Sequence, residues 1–566
     1  MPNLIENRFY YLDNFQLVLN WVDQRYSDLL IDEEQAFIRD FSSLPQVSQA
    51  LLVRMVMRKG KLFRSSKLVY DEIGSLGAAV APLVALGWVD NNPFLSVDDL
   101  FVLLKKTEIP HIFGRTLPKK SAKKSSQLEA LRKEMREISE DGDISDIHPF
   151  SVWWPNATEC VYQVKVCTIC DHLRLLFFGN LRQSWTEFVL ADLGIFQYEK
   201  VAFSSTSRGF QKRQEIEDYC HLFQCRERFQ QGESADAVIN DIPAQAYDSL
   251  LLEERRTRLL FQIAQHYEKS EDLVNALTVY ALSNYQGARI RTIRIMERRG
   301  QLEAAFKLAK IAEYAPENEE EKQRLLRVIP RLMRQLGHPK EAVASRVLLN
   351  KMTLTLQKPS QQESVEELAR EYLQLANAPQ NAQVHYVENG LINSLFGLLC
   401  WDVIFTPIPN AFFHPFHTGP ADLYSADFYR RREPQFKASL QQLDSDQYAE
   451  TIRQRFHEKK GIQSPFVFWD VLTAELLELA LLCVPAHHLK CWFERILLDI
   501  KANRAGIPDL IQFWPERKQY RLIEVKGPGD RLQDNQLRWF DYFSKHNMPA
   551  AVCYVEWTKE LECKVG

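Results

Sequence analysis

The stretches 506–511, GIPDLI, and 522–527, LIEVKG, decide the fold predicted for the C-terminal end of this chain. Both are short apolar runs next to glycine or proline, and the segment PERK at 515–518 separates them. This pattern predicts a β-hairpin of half-buried strands. An amphipathic helix is predicted to follow, beginning near Asp530, and the run AAVCYV at 550–555 predicts one more strand. The sequence therefore predicts a small α/β core of the αβββαβ type. The hairpin, the second helix and the last strand of that core are the parts placed here.

Three charged residues interrupt the apolar background of this hairpin. Side chains alternate faces along a strand, so Glu524 and Lys526 share one face. Asp509, at the head of the neighbouring strand, is expected beside them. Divalent metal ions of the Mg²⁺ type take such carboxylate oxygens, and the carbonyl of Val525 offers a further oxygen ligand. We therefore predict a metal site here, with the Lys526 ammonium next to the attacking water.

Two further polar residues are candidates for the same site. Gln536 lies on the apolar stripe of the predicted helix, where an unpaired amide is costly. It is expected either to bond to the active-site water or to be a partly exposed surface residue. Glu388 precedes the apolar segment 395–405, which predicts a buried helix. A carboxylate at the mouth of such a helix needs a partner, and a metal ion is a suitable one.

Length and composition indicate a multidomain protein of the ordinary globular class. The chain has 566 residues, 46 % hydrophobic and 25 % charged, so three to five domains are expected. Its net charge of −4 does not favour DNA binding, but a chain-wide sum can conceal a local basic face. No apolar stretch of about 18 residues and no N-terminal signal pattern occurs. We therefore expect an intracellular protein that makes no membrane contact.

The ten cysteines are too sparse for a disulfide framework. Cys167 with Cys170, and Cys220 with Cys225, could be combined into a zinc site, although the spacing of the second pair is poor. Reduced, partly buried thiols are the favoured interpretation.

Two clusters of basic residues are candidates for contacts with DNA phosphates. They are Arg54, Arg58, Lys59, Lys61, Arg64 and Lys67 in the first cluster, and Arg289, Arg291 and Arg294 in the second. Such contacts position a duplex without reading its sequence. The alternative in each case is an ordinary solvated helix face.

The residues quoted above carry a resemblance to a known family. The Pro-Asp…Glu-x-Lys pattern resembles that of a large nuclease superfamily, and GIPDL with IEVKGPGD is most similar to its VRR-NUC branch. A carboxylate, Glu388, before the helix containing GLLCWDVIF at 397–405, and the helical segments upstream, extend the resemblance to the Fanconi-associated nuclease family. The fold expected is multidomain, mostly α-helical in its N-terminal and middle regions, with a C-terminal α/β nuclease core.

The resemblance also implies a division of the chain. The expected parts are an N-terminal helical segment (1–43), a SAP-like DNA-binding domain (44–115), a linker (116–149), a helical connecting domain (150–249), tetratricopeptide-like repeats (250–380) and a nuclease region (381–566) whose VRR-NUC core covers about 447–560.

The activity implied is that of a metal-dependent, structure-selective nuclease acting in interstrand crosslink repair. It would cut near 5′ flaps and remove nucleotides 5′ to 3′. Carried over to this sequence, Glu388, Asp509, Glu524 and the Val525 carbonyl would bind one or two Mg²⁺ or Mn²⁺ ions, and Lys526 would orient or activate water. The expected partner is branched or flapped DNA, in the cytoplasm or nucleoid of a bacterium or in a nucleus. Ubiquitin binding is not expected, because no zinc-finger-bearing extension precedes residue 1.

Two other functions are compatible with the sequence. One is a dimeric nuclease that resolves four-way junctions, which the long helical N-terminal portion disfavours. The other is a non-catalytic helical-repeat scaffold for DNA repair, which the intact Asp509, Glu524 and Lys526 disfavour.

Overall fold

The computed structural model describes residues 7–113, 123–138, 147–155, 157–183, 185, 196–339, 349–358 and 363–558. The chain forms two compact units. The first comprises Met1–Phe196 with Arg208–Ile216, and the second comprises Gln197–Ser207 with Glu217–Gly566.

The first unit is helical, with short strands between the helices. Its helices are α1 (Tyr10–Tyr26), α2 (Asp32–Ser43), α3 (Gln46–Val56), α4 (Leu76–Ala85), α5 (Val97–Leu103), α6 (Ile109–Phe113), α7 (Lys124–Ile138), α8 (Phe150–Trp153) and α9 (Cys167–Phe178). Its strands are β1 (Leu62–Arg64), β2 (Val89–Asp90), β3 (Phe94–Ser96), β4 (Ile147–Pro149) and β5 (Val161–Val164). They pair as a sheet of order β1-β5-β2 and a separate β3-β4 pair.

Helix α7 lies inside the segment 116–149 that the sequence predicts as a linker. Leu131 on this helix is buried against Leu100 and Phe101 of α5, and Leu128 packs beside it. These two leucines, one helical turn apart, give an otherwise polar segment an apolar stripe to bury. Part of the segment expected as a linker is therefore a helix that packs on the first unit. Most of the basic run at 117–126 and of the acidic run at 137–146 lies outside the described residues.

The second unit combines helical hairpins with one larger sheet. Its helices are α10 (Arg213–Gln230, which begins at the end of the first unit), α11 (Ala235–Asp241), α12 (Leu250–Lys269), α13 (Leu273–Ala281), α14 (Ala288–Arg298), α15 (Leu302–Tyr314), α16 (Glu319–Gln335), α17 (Val365–Ala376), α18 (Gly390–Leu399), α19 (Trp401–Ile404), α20 (Glu433–Gln441), α21 (Gln447–Glu458), α22 (Ala474–Cys483), α23 (Ala486–Leu498), α24 (Ile500–Asn503) and α25 (Asp534–Lys545). Each of α12 to α15 packs against the next helix. Small residues such as Ala276, Ala305 and Ala309 are fully buried between them, which confirms the predicted helical repeats.

The sheet of the second unit has five strands in the order β6-β10-β9-β8-β7. They are β6 (Lys351–Leu356), β7 (Gln383–Tyr386), β8 (Leu510–Trp514), β9 (Gln519–Lys526) and β10 (Ala550–Trp557). The predicted hairpin is β8–β9, antiparallel with Leu510 opposite Ile523, and the predicted last strand is β10, which lies parallel to β9. Strands β6 and β7 were not predicted. β6 is an edge strand in which only Leu354 is buried, so it carries little apolar pattern.

Alternation along β9 separates two hydrophobic cores. Leu522 packs with Trp539, Phe540 and the other buried residues of α25. Its neighbour Ile523 packs on the opposite face of the sheet with residues of α17. By the same alternation Glu524 and Lys526 emerge on the α25 side. The sheet thus presents these two charged side chains to the helix that follows it.

The sequence predicts that helix α25 begins near Asp530, but in the structure it begins at Asp534. The Asp530 carboxylate instead accepts a hydrogen bond from the Gly527 N–H at 3.2 Å, and the Asp530 N–H donates to the Gly527 carbonyl at 3.1 Å. This turn delays the helix by four residues. Gln533 is its N-cap, in a capping box with Gln536.

Among the described residues, no single helix is both long and apolar enough to cross a membrane. Only α22 and α23 taken together, which meet at a bend of 109°, have the required length and composition.

Candidate active site

Asp509 is fixed by the backbone on both sides of it. Its carbonyl oxygen accepts hydrogen bonds from the N–H groups of Val387, at 2.8 Å, and Glu388, at 2.9 Å. Its carboxylate oxygen Oδ2 accepts from the Val525 N–H at 2.8 Å. The N–H and carbonyl of one strand residue point toward the same neighbouring strand, so the Val525 carbonyl also faces Asp509. Asp509 and the Val525 backbone thus lie side by side, and a shared metal ion between Asp509 and the Val525 carbonyl stays a prediction.

Gly506 allows the segment before Asp509 to approach α25. Its φ of +83° lies in the left-handed region that favours glycine, and a Cβ at this position would lie 2.7 Å from the Asn535 amide nitrogen. This close approach is the physical reason for glycine in the GIPD sequence.

Glu524 is enclosed beside Lys526 and Gln536. Its side chain is 1 % exposed, and the Lys526 ammonium bonds to Glu524 Oε1 at 2.7 Å. The same oxygen accepts a hydrogen bond from Gln536 Nε2, and Gln536 Oε1 accepts one from the Gln533 N–H at 2.8 Å. Gln536 is partly exposed, as one of the two expectations had it, and its amide donates to the Glu524 carboxylate; a bond to the active-site water stays a prediction.

The two carboxyl groups of this site are held in an environment that opposes their ionisation. Burial raises the pKa of Asp509 to about 6, against the lowering effects of the Val525 N–H and the Lys526 charge. Burial, followed by the Asp509 charge, raises the pKa of Glu524 to about 8. Lys526 only partly offsets this. A cation placed between the two groups would favour their charged forms.

Glu388 lies at the edge of this site rather than within it. Its side chain is exposed, with Oε2 accepting from the Tyr386 hydroxyl at 2.8 Å and Oε1 from the Asn389 amide at 3.3 Å. Its backbone has φ of +33°, an unusual conformation for a residue with a side chain. The expectation of a carboxylate directly preceding a buried helix is correct, since α18 is fully buried. No direct bond joins its carboxylate to Asp509 or Glu524.

Glu366 is a carboxylate near the site that sequence reasoning missed. It lies in the first turn of α17, next to Val365, whose side chain would be 3.5 Å from a Cβ at Gly527. Its negative charge acts on Asp509 together with that of Glu388, and both contribute to the raised pKa of Asp509. The sequence offered no signal, because glutamates in the first turn of a helix are common.

The oxygen atoms gathered at this site suit a divalent metal ion. No hydrogen-bond donor in the described part of the chain reaches the buried Glu524 Oε2, and Glu524 and Asp509 can share a hydrogen bond only while one of them is protonated. Across the described part of the chain, no three His, Cys, Asp or Glu side chains are grouped to hold a metal. Mg²⁺, however, is commonly held by one or two carboxylates with water completing its shell. Asp509, Glu524 and the Val525 carbonyl match that requirement.

The first predicted basic cluster is only partly available to a ligand. Arg64 is buried, and its guanidinium is paired with Glu108 and Glu159. Arg54 is paired with Glu72 at 2.6 Å. The residues of the cluster that are exposed are Arg58, Lys59, Lys61 and Lys67. The prediction of Arg64 as a phosphate contact is therefore wrong, because its charge is neutralised inside the protein.

The second cluster is similarly divided. Arg289 is bonded to Glu321 at 2.9 Å, and Arg291 to Glu268 at 2.9 Å. Both guanidinium groups are partly covered. Arg294 is exposed on α14.

The cysteines considered for zinc lie on two helices, Cys167 and Cys170 on α9, and Cys220 and Cys225 on α10. None of the four forms a disulfide. Burial raises the pKa of the Cys167, Cys170 and Cys225 thiols, which favours the protonated form over the thiolate that binds zinc.

Comparison with known proteins agrees with this arrangement. The VRR-NUC domain family matches residues 443–557, which include the whole hairpin and α25. The Fanconi-associated nuclease 1 homolog of Pseudomonas aeruginosa is 52 % identical over 552 residues, covering 97 % of this chain and 96 % of that protein. The chain belongs to the Fanconi-associated nuclease family. The resemblance inferred from the sequence is thereby confirmed.

More distant members of the family differ in length and extent of similarity. The rice homolog is 24 % identical over 608 residues, and the chain spans 62 % of its length. The human Fanconi-associated nuclease 1 is 31 % identical over 198 residues, 34 % of this chain and 19 % of the human protein.

A solved structure matches almost the whole fold. The crystal structure of paFAN1 bound to DNA with a 2-nt 5′ flap and a gap has a TM-score of 0.86 and 51 % sequence identity, covering 98 % of this chain and all of that one. A second crystal structure of paFAN1, with a 1-nt 5′ flap, has a TM-score of 0.85. The predicted fold class, helical regions followed by an α/β nuclease core, is confirmed.

Two further domain families match the N-terminal part of the chain. The FAN1 HTH domain matches residues 9–90 and the Fanconi anemia-associated nuclease SAP domain matches residues 94–153. The range 44–115 assigned above to a SAP-like domain thus includes the end of the first match and the start of the second.

Proposed function

We propose that this protein is a metal-dependent, structure-selective DNA nuclease that cuts 5′ flaps, removes nucleotides 5′ to 3′ and acts in interstrand crosslink repair. The observation that carries the proposal is the state of Glu524. It is a fully buried carboxylate beside Asp509, with one oxygen that no hydrogen-bond donor reaches and the other 2.7 Å from the Lys526 ammonium. Such a group is costly in a structural core and useful at a metal-assisted hydrolytic site.

The charged residues of the site each have a role in this proposal. Asp509, Glu524 and the Val525 carbonyl would hold a Mg²⁺ or Mn²⁺ ion, and the exposed Glu388 would contribute from the edge of the site. The ion, when bound, supplies Lewis-acid activation of water and stabilises charge on the phosphate. Lys526 orients the attacking water and offsets negative charge as it develops on the scissile phosphate.

Gln536 and Glu366 act around these residues. Gln536 fixes Glu524 by donating to Oε1, so that Oε2, which no donor reaches, could serve as a ligand. Glu366 adds negative charge near Asp509, and this favours a second cation at the same end of β9. One or two ions are therefore compatible with the site.

The substrate class rests on the relatives and on the exposed basic residues. paFAN1 was crystallised with 5′-flap DNA, and that protein matches this chain over nearly its whole length. Arg58, Lys59, Lys61, Lys67 and Arg294 are exposed and would contact phosphates in this proposal, although Arg58 also donates to the Lys67 carbonyl at 2.9 Å. A protein with this substrate acts inside the cell, on DNA.

Cleavage of an end-labelled 5′-flap duplex tests the proposal directly. Wild-type protein and Asp509→Asn are compared with Mn²⁺, Mg²⁺ or EDTA, beside a 3′ flap and a four-way junction. Asp541→Asn on the exposed side of α25 is the matched control. We expect 5′-flap cutting that needs the metal, is lost in Asp509→Asn and persists in Asp541→Asn.

Other results would assign the protein differently. Preferential cutting of the four-way junction by a dimer would favour junction resolution. Flap binding without cleavage of any substrate would leave the scaffold function.

A further inference from the structure

Helix α16 of the helical repeats is bonded directly to the first turn of α25. Arg327 donates from Nη1 and Nη2 to the two carboxylate oxygens of Asp534, the Nη1 bond being 2.9 Å long. Gln323, one turn earlier on α16, donates from Nε2 to the Asp534 carbonyl at 3.1 Å. Arg538 in turn donates to Gln323 Oε1. Four hydrogen bonds thus hold two successive turns of α16 to the N-terminal end of α25.

Gln536 lies between Asp534 and Arg538 in the sequence, and its side chain points from the opposite side of the same turn toward the sheet. Its Oε1 accepts from the Gln533 N–H, and its Nε2 donates to Glu524. A shift of the first turn of α25 would therefore move the donor away from Glu524. The opposite end of α25 is fixed separately by the buried Trp539, Phe540 and Phe543.

We propose that Arg327 and Gln323 are positioning residues, which hold the first turn of α25 so that Gln536 stays bonded to Glu524. The inference rests on the proposed nuclease function. It makes the helical repeats part of the catalytic apparatus and not only a surface for DNA. If α16 moved when DNA binds, the first turn of α25 would move with it, and the bond between Gln536 and Glu524 would change.

The contribution of this contact is limited by solvent. Arg327 and Asp534 are 57 % and 49 % exposed, so their ion pair is worth no more than exposed pairs usually are. We therefore expect Arg327→Ala to lower the rate of flap cleavage at saturating DNA about fivefold and to leave flap affinity in EDTA unchanged. Arg327→Lys, which keeps the charge and one donor, is expected to recover most of the rate.

Helix α16 offers a matched control one turn further along. Arg331 forms a two-bond ion pair of the same kind, with Glu297 of α14, at 2.6 and 2.7 Å, on a different helix from α25. Arg331→Ala removes an exposed arginine and a bidentate pair from the same helix. It is expected to leave both cleavage and α25 unchanged.

The decisive experiment joins amide hydrogen exchange with a double-mutant cycle. Exchange in metal-free, full-length protein is followed for the peptide covering 530–540. Arg327→Ala should exchange faster there than wild type, whereas Arg331→Ala should not. In cleavage assays, Arg327→Ala should have no further effect when Gln536 is already alanine.

Each outcome bears on one of the two proposals. Unchanged exchange in Arg327→Ala, or an equal loss of rate with and without Gln536, would overturn the positioning role. A rise in KM alone would do the same, because it would make Arg327 a DNA contact. If wild type cuts no flap, the proposed function fails, and the exchange experiment still decides whether α16 holds α25.

Discussion

Replacing Glu524 by glutamine should make the metal-free protein more stable at neutral pH. The folded-state pKa of this carboxyl, about 8, is above its ordinary value of 4.5. The folded protein therefore keeps a proton on Glu524 between these pH values, whereas the unfolded chain releases it. Stability is lost as pH rises through that window, because the unfolded state is favoured by losing the proton. Glutamine does not titrate, so the variant lacks this loss.

The magnitude follows from the width of the window. Each pH unit between the two pKa values costs about 1.4 kcal/mol, so moving from pH 5 to pH 7.5 costs about 3 kcal/mol as an upper limit. For a domain of 150 to 250 residues this corresponds to a difference of about 6 to 12 °C in Tm. Asp509, with a pKa of about 6, adds to the pH dependence of both proteins below that value.

Thermal unfolding in EDTA, followed by tryptophan fluorescence at pH 5 and pH 7.5, measures the effect. The buried Trp539 packs on the same side of the sheet as Glu524 and reports on this region. Glu516→Gln, at an exposed carboxyl in the turn of the same hairpin, is the control and should follow wild type. If the difference in Tm between wild type and Glu524→Gln is the same at both pH values, the reasoning from burial is wrong.

Three further substitutions have definite expected outcomes. Lys526→Met should lower the cleavage rate at least about 100-fold. Flap binding in EDTA, measured by fluorescence anisotropy, should be retained. Weakened binding would make Lys526 a DNA contact instead. Asp422→Asn should destabilise the second unit by about 3 to 5 kcal/mol in urea unfolding, because it leaves the fully buried Arg432 without its ion pair. A change below about 1 kcal/mol would mean that Arg432 finds another partner. Glu388→Gly should be more stable than Glu388→Ala by about 1 kcal/mol in the same assay, since only glycine relieves the positive φ, and equal stability would show that the backbone there is unstrained.

The features that sequence could predict are those determined by neighbours in the chain. The hairpin β8–β9 follows from alternation and from breakers within a few residues, and the shared face of Glu524 and Lys526 follows from a two-residue spacing. Gln536 could be predicted to need a partner because it interrupts an apolar stripe. Its partner Glu524, twelve residues away, was not among the expected alternatives, which were the active-site water and a partly exposed side chain.

The features that sequence could not predict depend on distant residues. Arg64 belongs to an apparent basic cluster, and the glutamates that neutralise it are 44 and 95 positions away. The contact of Arg327 with Asp534 spans 207 positions. A charge count along the chain treats such residues as free, which is why basic clusters overstate the charge available to DNA.

The buried carboxyl groups of this site lower the free energy of unfolding of the metal-free protein at neutral pH, and a bound divalent ion would raise it again. Two carboxyl groups with raised pKa values share one ammonium, and Glu366 and Glu388 add further negative charge. A bound divalent ion reverses the effect of burial, because it stabilises the charged forms that burial opposes. Since the ion must first displace protons, its affinity should rise with pH through the range of about 6 to 8 and then level off. In wild type the added stability at saturating metal should therefore be larger at pH 7.5 than at pH 5, and in Glu524→Gln it should be small at both. The same buried oxygen, Glu524 Oε2, then explains both the cost of the metal-free fold and the pH dependence of metal binding.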